Sequence, residues 1–153
     1  ANSPDFHWHV TNLRNYMQVS TTQEKEVHWG NVSLTPFGQG AGTIQLPGGF
    51  TSPERFVRTA FLKKHVHMPE DQTETVHTCF HLLNSVFIPK GIVMTDRGTM
   101  DYTKYVAFMN THTCTYYFKT YENNQILTAN LWNYNLNAPH PLYLGNIKYP
   151  AAV

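Results

Sequence analysis

The sequence predicts an α+β fold in which helices cover one face of an antiparallel sheet. Three observations carry that expectation. Thr51 with Glu54, and Asp71 with Glu74, stand at capping-box spacing, where a side-chain oxygen caps a backbone amide and the glutamate reaches back. After Pro89 the apolar pattern changes from helical spacing to short runs rich in β-branched and aromatic residues. The turns between those runs, Asp96-Arg97-Gly98, Thr111-His112-Thr113 and Glu122-Asn123-Asn124, are too short for parallel crossovers, so neighbouring strands must run antiparallel. Helices first and strands afterwards is the order of a helix layer packed on an antiparallel sheet.

Ser3-Pro4-Asp5 reads as a helix start, with Ser3 as the cap and Pro4 as the first helical residue. Phe6, Trp8, Val10, Leu13, Tyr16 and Met17 give a partly helical period, so residues 4–17 form one helix or two short ones. From Gln18 to Phe50 the periodicity fades. Only Val27-His28-Trp29 and Val32-Ser33-Leu34 pair as a hairpin, around the turn-favouring Gly30-Asn31. A loop-rich stretch of that length in a compact domain is uncommon, and is usually functional or interfacial. Residues 53–65 then place Phe56, Val57, Ala60 and Phe61 on one helix face. Met68-Pro69 ends that region, and a second helix runs to about Asn84, burying Val76, Cys79, Phe80 and Leu83. The strands are residues 92–94, 102–110, 114–121 and 126–132, a meander. Tyr116, Tyr117, Phe118 and Tyr121 suit cross-strand packing there. Residues 133–153, with Pro139, Pro141 and Pro150, show no clear element.

At 153 residues the chain is long enough for one sizeable core, and it reads as a single partial domain over 1–153. Charged residues make up 14%, well below the usual quarter, and aromatic residues another 14%, which argues for much buried or interfacial surface. A formal charge of +1, with no basic cluster beyond Lys63-Lys64, leaves no footprint for nucleic acid. No apolar run reaches membrane-spanning length, and no secretory signal is legible, so the cytoplasm is the expected compartment. Cys79 and Cys114 make no disulfide framework and are expected as buried free thiols. His77 and His81 lie one helical turn apart but have no intervening glutamate and no third ligand placed by the sequence, so no metal site is expected.

The most informative segment is TPFGQGAGTIQLPGGFTSPERFVR, Thr35 to Arg58. Its loop holds Gly38, Gly40, Gly42, Gly48 and Gly49, and ends at the capped helix start, where Pro53 sits in the first turn. Arg55 follows where the helix dipole prefers acids, an unfavourable placement by roughly 0.3–1 kcal/mol. An awkwardly placed cation after a close-approach loop reads as a built site. A solvated arginine on a helix face is the alternative.

This segment, together with ANSPDFHWHVTNLRNY, FHLLNSVFIPKGIV and YYFKTYENNQI, resembles the choloylglycine hydrolase and penicillin V acylase family of N-terminal-nucleophile amidases. The matches are collinear from Ala1 to about Trp132, and the wording FGQGAG is more similar to the penicillin V acylase branch. The resemblance implies the C-terminal half of a four-layer α-β-β-α sandwich. The nucleophile, a cysteine freed as the first residue of the polypeptide, would then lie in the other half. It further implies that Asn2 donates its side-chain amide to an oxyanion and that Arg55 lowers the thiol pKa. Ala1 stands where the family has threonine, and Gly49 where it usually has an acidic residue. A small-molecule amide, the N-terminal half and further copies of the chain are the expected partners, with no cofactor. Alone, the chain is expected to be inactive. The competing reading is a non-catalytic binding or oligomerisation module derived from the same fold, with residues 18–50 as its contact surface.

Overall fold

Asp5, rather than Ser3, caps the first helix, its carboxylate accepting the Trp8 N–H at 2.9 Å. The cap shifts because a carboxylate three residues ahead of an amide has the N-cap geometry, and residues 6–12 (α1, Phe6–Asn12) then carry the helix. In the computed structural model, residues 3–146 and the strand Tyr149–Pro150 are described. The chain is α+β and divides into two compact units, Ala1–His67 and Met68–Val153.

In the first unit α1 continues into a 3-10 turn, Leu13–Tyr16, giving the two short helical pieces expected. The hairpin forms with β1 (Val27–Trp29) and β2 (Val32–Leu34) in the register Val27↔Leu34 and Trp29↔Val32, exposed along both strands. The glycine-rich loop is folded back on its own chain. Ser20 donates its N–H to the Gly42 carbonyl at 2.9 Å, and a Cβ on Gly42 would fall 2.0 Å from the Thr22 carbonyl oxygen. Only glycine fits so close an approach. Gln23 brackets the loop, donating to the Gly38 carbonyl at 2.8 Å and accepting from the Ala41 N–H. The loop leads into α2 (Ser52–His65). α1 packs on α2 through aromatic rings: His9 stacks on Phe56 at 4.7 Å, and Phe6 meets Phe56 edge-on at 6.0 Å.

In the second unit α3 (Gln72–Asn84) starts at Asp71, whose carboxylate accepts the Glu74 N–H at 2.8 Å. The return bond of the expected capping box goes elsewhere, because the Glu74 carboxylate takes the Glu70 N–H at 2.7 Å. The sheet is β5 (Tyr105–Asn110), β6 (Thr115–Thr120) and β7 (Leu127–Asn130), in antiparallel order β5-β6-β7. Its register, Val106↔Lys119 and Phe108↔Tyr117, turns Val106, Phe108 and Tyr117 toward α3, where they close on Phe80. Phe108 stacks on Tyr117 at 5.1 Å and Phe80 meets Phe108 edge-on at 5.1 Å. The alternate residues Tyr105, Ala107, Met109, Tyr116 and Phe118 share the opposite face, where Met109 is 69% exposed.

The meander has one strand fewer than the sequence predicts. β3 (Val93–Met94) pairs with β4 (Met100–Asp101) in a hairpin of its own. Thr103, expected within a strand, instead bonds back to Ile88, its N–H to the Ile88 carbonyl at 3.0 Å and its hydroxyl accepting the Ile88 N–H at 2.9 Å. That tether takes residues 102–104 out of the ladder. The tail also carries a short hairpin, β8 (Gly145–Asn146) with β9 (Tyr149–Pro150). Both cysteines are free but half-buried rather than buried. Burial still pushes the Cys79 thiol up from its ordinary value. Among the described residues, no helix is long and apolar enough to cross a membrane.

Candidate active site

The site is built around the start of α2. Thr51 is the N-cap, in extended backbone, and the capping box is closed. Glu54 accepts the Thr51 N–H at 3.2 Å and the Thr51 hydroxyl at 2.6 Å. These bonds, the hydroxyl first, hold the Glu54 carboxyl below the usual glutamate range, and the charge of Arg58 adds to the effect. Arg55 is therefore placed by a helix start of fixed geometry. Its N–H donates to the Thr51 carbonyl at 3.0 Å, its carbonyl accepts the Thr59 hydroxyl at 2.9 Å, and its side chain is half-buried.

A second arginine does the work of holding the loop. Arg58 is buried, 9% exposed, and its Nη1 donates to the Pro47 carbonyl at 2.6 Å and to the Gly49 carbonyl at 2.7 Å. Desolvation lowers its pKa, opposed by Glu54 one turn earlier. The sequence reading passed over Arg58, since an arginine on a helix is exposed by default. Two signals were present: the i,i+4 spacing from Glu54, and the position beside Val57 on the buried face. His9 was also missed. It is fully buried, and among the described residues neither ring nitrogen has a hydrogen-bond partner.

Gly49 has a specific neighbour. A Cβ built there would lie 2.2 Å from Glu54 Oε1. The carboxylate at that point of the site comes from the helix. Asn2 lies outside the described residues. The segment it precedes enters α1, whose Phe6 and His9 rest on Phe56, the residue after Arg55. A half-buried guanidinium on a rigid helix start can hold an anion or stabilise a thiolate beside it.

The family model described as linear amide C–N hydrolases, choloylglycine hydrolase family, matches residues 1–144. The bile salt hydrolase/transferase of Clostridium perfringens (strain 13 / Type A) is 39% identical over 137 residues, covering 90% of this chain and 42% of that protein. The conjugated bile acid hydrolase of Lactobacillus acidophilus is 33% identical over 138 residues, with 90% and 44% covered. Thus the chain spans less than half the length of these relatives. A crystal structure of a mutant conjugated bile acid hydrolase from Clostridium perfringens superposes with a TM-score of 0.80 at 38% identity, over 95% of this chain and 44% of that one. Penicillin V acylase from Agrobacterium tumefaciens shares the fold, with a TM-score of 0.63 at 20% identity over 86% of this chain and 35% of that one.

Proposed function

The chain belongs to the choloylglycine hydrolase family of linear amide C–N hydrolases, and from that premise we propose that it supplies Asn2 and Arg55 to the active site of a cysteine amidase. The nucleophile is a cysteine outside residues 1–153, freed as an N-terminal residue so that its own α-amine serves as the base. Its thiol attacks the amide carbonyl, and the α-amine takes the thiol proton. The Asn2 side-chain N–H donates to the oxyanion, stabilising charge that exists only in the tetrahedral intermediate. The C–N bond then breaks, the leaving nitrogen takes the proton, and water hydrolyses the thioester. The Arg55 guanidinium, permanently positive, favours the thiolate before attack.

The observation that carries this reading is the rigid placement of Arg55. It stands one residue past a closed capping box, on a helix whose buried Arg58 grips the preceding loop. An arginine of a merely solvated face needs no such support. The substrate class is a linear amide between an acyl group and an amine. A conjugated bile acid is the first compound to assay, because the relatives at 33–39% identity are named for bile salts or conjugated bile acids. The test compares the polypeptide carrying residues 1–153 joined to the remainder of the fold with residues 1–153 alone. The joined form is expected to release the amine, and residues 1–153 alone to release none. Asn2→Ala in the joined form should lower kcat by about 10²–10³ with KM little changed. Equal hydrolysis by residues 1–153 alone would sink the proposal. An assembly module would keep its partners in the Asn2→Ala and Arg55→Ala variants and hydrolyse nothing in any form.

A further inference from the structure

Gly49 is in contact with both charges of the loop clasp. Its carbonyl accepts from Arg58 at 2.7 Å, while a Cβ on its α-carbon would fall 2.2 and 2.3 Å from the two Glu54 carboxylate oxygens. Its φ is not in the left-handed region, unlike those of Gly30, Gly40, Gly91 and Gly98. Backbone strain is therefore no reason for glycine at 49, and the space taken by the carboxylate is. That carboxylate cannot swing away freely. Its Oε2 is held by the Thr51 N–H and hydroxyl, so a side chain at 49 presses the carboxylate against those two bonds.

We propose that Gly49 and Glu54 are a matched pair. The missing side chain at 49 admits the helix-borne carboxylate, and Glu54 is a positioning residue that sets the Arg58 guanidinium against the Pro47 and Gly49 carbonyls, and through them the helix start that presents Arg55. The loop between Pro47 and Gly49 is thus pinched between an acid and a base one helical turn apart. Charge, and not only the cap, is required of residue 54, because its carboxylate stands one helical turn before the Arg58 guanidinium, which a neutral acceptor would not attract. A single carboxylate fits the space, and it can be delivered from either position.

The functional consequence rests on the amidase reading above, and the experiment separates the two. Gly49→Asp, Glu54→Ala, the double variant Gly49→Asp/Glu54→Ala and Glu54→Gln are made in the joined polypeptide. Each is measured for kcat/KM on a conjugated bile acid and for its urea midpoint. Gly49→Asp and Glu54→Ala are each expected to lose about tenfold or more in kcat/KM, the scale of a displaced catalytic group, and to lower the midpoint. The double variant regains most of both. Glu54→Gln keeps a midpoint nearer wild type but stays impaired in kcat, with KM little changed. A double variant no better than the worse single variant would overturn the pairing. Glu54→Gln matching wild type in both readouts would also overturn it, leaving Glu54 a cap and nothing more. If wild type hydrolyses no amide, the amidase reading fails while the midpoints of the same variants still decide the pair.

Discussion

Each of the two units is stabilised internally by different means. Met68–Val153 follows the ordinary rule: α3 lies on a regular three-stranded ladder, and Phe80, Val106 and Tyr117 form its core. In Ala1–His67, long loops are fixed by polar groups: Arg58 on Pro47 and Gly49, Gln23 on Gly38 and Ala41, Ser20 on Gly42. Hydrophobic burial is non-directional and tolerates repacking, whereas a guanidinium on two carbonyls defines one position. The unit with the directional bonds is the one that carries Arg55.

The largest effect is expected from Phe80→Ala, which removes a 4%-exposed ring from the apolar core and should cost about 3–5 kcal/mol in urea unfolding. Arg58→Met comes next. It keeps the apolar stem but removes both bonds to the loop, and should cost about 2–3 kcal/mol while speeding amide exchange at the start of α2. If methionine costs nothing there, the first unit is held by burial after all. His9→Phe should run the other way, stabilising by about 1 kcal/mol, because it keeps the stack on Phe56 and removes two buried nitrogens that have no hydrogen-bond partner among the described residues.

The smallest effect is a pH dependence. Glu54 has its folded-state pKa lowered, so between the folded and unfolded values the group binds fewer protons in the folded than in the unfolded chain. Its contribution is therefore present above the ordinary glutamate range and is lost as pH falls through the lower, folded value. Glu54→Gln should flatten that acid limb in a urea-midpoint series, and an unchanged limb would remove Glu54 from the account.

Legibility divided differently, between local and tertiary interactions, and cut across both units. The hairpin around Gly30-Asn31 and the helix starts at Thr51 and Asp71 were readable, because caps and turns depend on residues within four positions of each other. The β3–β4 hairpin was not, since Met100–Asp101 is too short to show a period and the Thr103–Ile88 bonds are tertiary. At the site, the placement of Arg55 in the first turn of α2 was legible from the Thr51 and Glu54 spacing. Arg58 was not, because its partners are backbone carbonyls, which carry no residue-type signal. The meaning of Gly49 was hidden for the same reason. It depends on where the Glu54 side chain points, and spacing does not encode that.

If Arg55 acts on a thiolate, the pH profile of kcat/KM for amide hydrolysis reads its effect on the thiol. In the joined polypeptide, Arg55→Ala should shift the acid limb to higher pH, because the thiol loses the cation that favours its ionised form. A lowered rate with an unshifted limb would contradict the account and leave Arg55 a structural residue.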